Sequence, residues 1–94
     1  MHVISRKKLN AFANDHPDCQ TGLAHWFKAM KKGDFSNIER VRAVFPHADK
    51  VGELTVFNVG GNKVRIIAAI HYNRKRVYIR YVLTHSEYDL GKWK

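Results

Sequence analysis

Residues 54 to 89 hold three runs in which apolar side chains alternate with others, at 54–59, 62–71 and 76–84. Gly60-Gly61 separates the first two, and a polar cluster at Asn73, Arg74 and Lys75 separates the second from the third. A period of two is the signature of strands, and runs this close in sequence pair as consecutive antiparallel neighbours. The stretch therefore predicts a three-stranded meander.

The same period assigns each side chain to a face. Val64, Ile66, Ala68 and Ile70 point one way; Lys63, Arg65, Ile67, Ala69 and His71 point the other. In the last run Val77, Ile79, Tyr81 and Leu83 form the apolar set, and Arg76, Tyr78, Arg80, Val82 and Thr84 the mixed one. A two-residue turn at Arg74-Lys75 sets His71 opposite Tyr78, Ala69 opposite Arg80 and Arg65 opposite Thr84. A two-residue Gly60-Gly61 turn sets Asn58 opposite Lys63 and Val56 opposite Arg65. Lys63, Arg65, His71, Tyr78 and Arg80 then share a face, a cationic patch with an aromatic inside it.

The preceding half reads as helices. Ser5 can cap a helix to about Asn14 with Leu9, Phe12 and Ala13 inward, ended by Pro17. Asp18 is the expected N-cap of a second helix over 19–32, whose stripe is Cys19, Leu23, Trp26, Phe27 and Met30. Gly33 stops it. Ser36 and Glu39 form a capping-box pattern for a short third helix carrying Ile38, Val41, Val44 and Phe45, closed by Pro46. Short strands are expected at Val3-Ile4 and at 50–52. Helices first and strands second predict an α+β fold, two to three N-terminal helices packed on a small antiparallel sheet, in one domain spanning 1–94. The sheet face away from the helices is left for a ligand.

Charge says what kind of ligand. The chain has a net charge of +9, with nine Lys and Arg against five acids in residues 1–52 and eight against three in 53–94. So general a basic excess implies a polyanionic partner. No stretch approaches the roughly 18 apolar residues of a membrane span. The opening MHVISRKK has no apolar core of a secretory signal, and Cys19 has no second cysteine to pair with, so a reducing cytoplasm is expected.

The basic face can bind phosphates, with Tyr78 as a ring for an unstacked base; the plain alternative is a solvated strand face. Beside it, Thr84 to Asp89 reads THSEYD. His exchanges protons near neutral pH, Tyr can donate one, and neighbouring cations stabilise charge growing on a phosphate. RNA supplies its own nucleophile, the 2′-hydroxyl, so such a set suffices for its cleavage without a metal or other cofactor. Against this stands a structural reading in which Thr84 and Ser86 cap a final helical turn and His85 faces the core. His71 faces the patch in this register, but a one-residue slip would turn it inward. His2, His16, His25 and His47 lack ligand spacing. Trp93, between Lys92 and Lys94, is either a ring packed on the domain or a stacking platform. Gly60-Gly61 joins two strands with no helix after it, so it is a turn and not a phosphate loop.

These residues carry a resemblance. VISRKKL near the start, HPD at 16–18, FNVGGNKVRIIAAIHY at 57–72 and VYIRYVLTHSEYD at 77–89 together resemble the HigB family of type II toxins, in the RelE/ParE-like superfamily. The resemblance covers nearly the whole chain and implies a RelE-like fold and a cytoplasmic toxin that cleaves mRNA engaged by the ribosome. It also implies a toxin-antitoxin hetero-oligomer with a HigA-type helix-turn-helix antitoxin. On this reading Lys63, Arg65 and Arg80 hold phosphate, His85 or Tyr88 handles protons, and His71, Tyr78, Arg76, Lys92 and Trp93 contact RNA. Val64 departs from the aromatic expected in the GNKxR element, which bears on packing. Two other classes stay open: a ParE-like toxin acting on DNA gyrase without hydrolysis, and a non-catalytic RNA-binding module.

Overall fold

A computed structural model describes residues 1–61 and 63–94. Its elements run β1 (His2–Ile4), α1 (Lys7–Asp15), α2 (Gln20–Lys32), α3 (Ile38–Val44), β2 (Asp49–Val51), β3 (Leu54–Val59), β4 (Val64–His71), β5 (Arg76–Thr84) and α4 (His85–Asp89). The strands form one sheet in the order β1-β5-β4-β3-β2. The meander is antiparallel as its periodicity predicts, whereas β1 lies parallel to β5, so the sheet is mixed rather than wholly antiparallel.

The helices cover one face. Leu9 and Phe12 of α1, Leu23, Trp26 and Met30 of α2 and Val41 of α3 pack with Phe57, Val59, Val64, Ile66, Ala68, Val77 and Ile79 of the sheet. Cys19 is buried in this core, where desolvation pushes its thiol pKa up. Trp26 meets Phe57 edge-on at 5.3 Å, the geometry that aromatic quadrupoles favour. Val44, expected inward, is exposed, whereas Ile38, Val41 and Phe45 of the same stripe pack on the core.

Local capping departs from the sequence reading at three helices. The Pro17–Cys19 segment forms a 3-10 turn, and Asp18 pairs with Lys63 instead of capping α2. Asn37, not Ser36, caps α3, its Oδ1 accepting the Arg40 N–H at 3.0 Å. The full capping box stands at α4: Thr84 Oγ1 accepts from the Glu87 N–H at 3.2 Å, and Glu87 Oε1 accepts from the Thr84 N–H at 3.0 Å. At α1 the N-cap position is Arg6, without a side-chain cap; Ser5, one residue earlier, accepts the Lys7 N–H with its hydroxyl at 3.2 Å.

Both hairpin loops have four residues where two were expected. Val59 pairs with Val64 and His71 with Arg76, so Asn58 faces Arg65, Val56 faces Ile67 and Ala69 faces Tyr78. Gly60 and Gly61 at φ +63° and +62° and Lys75 at +55° supply the left-handed backbone these loops need. A two-residue slip keeps every side chain on its face. A second change does not: the register shifts at Ile67/Ala68, pairing Ala68 with Ile79 but Ile67 with Tyr81. Arg80 is the extra residue of a bulge, and beyond it the faces exchange. Val82 packs with the core and Tyr81 and Leu83 move to the outer face, the reverse of the strict alternation.

The outer face is not bare. Val56, Ile67 and Trp93 form a second buried cluster, with Val51, Leu54, Leu83 and Tyr88 packed against it. The C-terminal tail lies across the sheet.

Candidate active site

The start of β4, α4 at the end of β5 and the C-terminal tail bring Arg65, His85, Tyr88, Asp89 and Trp93 to one end of the outer face. Arg65 leaves β4 on that side, opposite Asn58 on β3 and Leu83 on β5. Only 9% of it is exposed, because α4 folds back over it: its guanidinium carbon lies 5.4 Å from the Tyr88 ring centroid, a cation–π contact. Tyr88 stacks in turn on Trp93, with centroids 5.1 Å apart and planes 15° from parallel. Tyr88 thus contacts both Arg65 and Trp93.

His85 opens α4, and its backbone N–H donates to the Lys63 carbonyl at 3.2 Å, which pins the helix start to the β3–β4 loop. Its Nδ1 lies 2.8 Å from Asp89 Oδ2, one helical turn on, and the side chain is 51% exposed. With Nδ1 engaged by a carboxylate, Nε2 is the nitrogen left to exchange a proton with a ligand. His85 faces solvent, not the core, and the capping role falls to Thr84. Asp89 was not singled out in the sequence, although a carboxylate four residues after a His on a helix is the spacing that signals it.

Lys63 stands beside His85 through the backbone, but its Nζ is 3.3 Å from the Asp18 carboxylate, both well exposed. This hydrogen bond holds the Asp18 pKa below its usual value. An exposed pair of this kind is weak and exchanges readily for a phosphate. Glu87 is held low as well, first by the Thr84 N–H and then by the Thr84 hydroxyl.

The expected single patch is divided. His71 lies opposite Arg76, not Tyr78, and its ring meets the Tyr78 ring edge-on at 5.1 Å; an Arg76 guanidinium N–H donates to the Tyr78 hydroxyl at 3.5 Å. This cluster is six strand residues from Arg65, about 20 Å at the rise of a strand. Arg80, at the bulge, faces no β4 residue; it lines a groove of ≈ 390 Å³ against Lys8, His16 and Glu87 and borders a wider cleft of ≈ 620 Å³ beside His71. Lys92 is exposed, but Trp93 is 6% exposed, so its ring is no open platform for a base. Among the described residues no three His, Cys, Asp or Glu side chains gather as they would around an ion.

The family model of a "RelE-like toxic component of a toxin-antitoxin system" matches residues 19–91. The chain belongs to the HigB toxin family. This HigB-family toxin is similar over 95% of its length to curated relatives. It is 40% identical to the "mRNA interferase toxin HigB" of Escherichia coli K12 and to the "mRNA interferase HigB" of Shigella flexneri, covering 88% of each. It is 34% identical to the "mRNA interferase HigB" of Escherichia coli O6:H1, covering 89% of it. The α+β fold expected from the sequence and the family therefore agree for this HigB-family toxin.

Proposed function

We propose that this toxin is an mRNA-cleaving endoribonuclease whose chemistry lies at the Arg65–Tyr88–His85 end of the outer sheet face. The observation that carries the reading is the His85–Asp89 contact of 2.8 Å beside an arginine stacked on a tyrosine. That set contains each group a 2′-hydroxyl attack requires. His85 Nε2 takes the proton of the 2′-hydroxyl, with Asp89 orienting the ring and stabilising the imidazolium. The 2′ oxygen bonds to phosphorus as the bond to the 5′ oxygen breaks, and Tyr88 supplies the proton to the departing oxygen. Arg65, largely withdrawn from water and so weakly screened, and Lys63 stabilise the charge on the phosphorane. The products are a 2′,3′-cyclic phosphate and a 5′-hydroxyl, and the reaction needs no metal.

Arg80 and Lys92, with His71, Tyr78 and Arg76 at the far end of the face, serve as RNA contacts, the rings taking bases and the cations phosphates. The 94 residues act as one RelE-like domain in the cytoplasm, on message held by the ribosome. A HigA-type helix-turn-helix antitoxin neutralises the toxin in a hetero-oligomer. Incubation with mRNA, with and without ribosomes and with a chelator, followed by mapping of 5′ ends, tests the reading. Cleavage is expected to persist in chelator and to vanish when the 2′-hydroxyl at the scissile step is replaced by hydrogen. Intact RNA together with inhibited DNA gyrase would instead favour the ParE-like mode.

A further inference from the structure

Resting on that site reading, we propose that Trp93 is a positioning residue that fixes the Tyr88 phenol against Arg65. Tyr88 belongs to a helix of five residues, His85–Asp89, far below the length at which a helix holds itself together. Its ring direction must come from tertiary contacts. The ring has two such contacts, the Arg65 guanidinium carbon 5.4 Å from its centroid and the Trp93 indole stacked on it at 5.1 Å and 15°. The indole also donates its N–H to the Tyr88 carbonyl at 3.1 Å, so one side chain clamps both the ring and the backbone of the same residue.

The tail is shaped to deliver this clamp. Gly91, at φ +72°, turns the chain back after α4 and donates its N–H to the Tyr88 carbonyl at 3.0 Å. Trp93 then seats on Val56 and Ile67, apolar residues of the central strands β3 and β4. The indole thus ties Tyr88 to the sheet carrying Arg65. Its burial leaves it out of direct contact with RNA, so its effect is on geometry, and geometric errors near 1 Å cost on the order of 100-fold in rate.

The test compares Trp93→Leu, which keeps apolar burial but has neither ring nor N–H, with Trp93→Phe, which keeps a ring to stack. Steady-state cleavage of an RNA oligonucleotide, thermal melts, and Tyr88→Ala alone and combined with each variant complete the set. Trp93→Leu is expected to lower kcat by about 10- to 100-fold with KM changed less than about twofold, and Trp93→Phe to recover most of the loss. In the Tyr88→Ala background Trp93→Leu should cost nothing further, since the residue it positions is gone. A rise in KM with kcat unchanged, an additive loss in the double variant, or a kcat fall that Phe does not recover would each overturn the inference. A slow Tyr88→Ala beside a Trp93→Leu of wild-type speed removes the inference alone, whereas Tyr88→Ala at wild-type speed removes the site reading with it.

Discussion

His85 and Asp89 set the residue-scale expectations. A carboxylate on Nδ1 holds the ring and its tautomer, so Asp89→Asn should slow cleavage by on the order of 10- to 100-fold, less than the 10²- to 10⁴-fold expected for His85→Ala. Equal rates for Asp89→Asn and wild type would mean the 2.8 Å contact has no part in proton transfer. Arg65 offers a second check. A lysine there keeps the charge but lacks the planar group that lies on Tyr88, so Arg65→Lys should lose most of the activity that Arg65→Ala loses. The string THSEYD made His85 and Tyr88 legible as chemistry-bearing residues. Asp89 becomes legible only once 84–89 is taken as a helical turn, which brings it back to His85.

Two short elements decide where these groups stand. The bulge at Arg80 exchanges the faces of the last four residues of β5, sending Leu83 toward the outer cluster and Val82 into the core. Deleting Arg80 would remove the bulge and still leave Ile79 and Val82 inward and Tyr81 and Leu83 outward, so that variant should keep a cooperative thermal melt; a non-cooperative melt would contradict Arg80 as the inserted residue. The capping box of α4 is the second element. Thr84→Ala should cost about 1 kcal/mol and lower the melting temperature accordingly. Glu87 titrates below its ordinary 4.5 in the folded chain. Its contribution is therefore complete above that value and lost as the pH falls through the lowered one. Amide exchange in α4 should accelerate over that acidic window in wild type, and Thr84→Ala should exchange fast on both sides of it.

Across the whole molecule the excess of +9 is spread over helices and sheet, while the site occupies one end of one face. Affinity for single-stranded RNA should consequently fall steeply with salt, each phosphate contact adding about 0.7 to the slope of log K on log salt. Arg76→Ala, at the far end of the face, should weaken binding and flatten that slope by about this amount while leaving the rate at saturation unchanged. A drop in kcat instead would place Arg76 in the chemistry and contradict the division of the face into two ends.

What the residues alone determined is local. A period of two with Gly60-Gly61 and the Asn73–Lys75 cluster between runs is enough to specify three neighbouring strands. A 3.6-residue stripe through Cys19, Leu23, Trp26 and Met30 is enough to specify the helix that covers them. Strand membership survives a misjudged loop length because a slip of two residues preserves the faces. Only the tertiary structure decided the rest. The inserted Arg80 has no local marker, since a bulge forms where packing of both faces is best satisfied, and that depends on partners far along the chain. The C-terminal tail is short and basic, without the repeat that would betray its course. Its place across Val56 and Ile67 follows from apolar surface on the sheet face opposite the N-terminal helices, and through Trp93 that surface bears on how Tyr88 meets Arg65.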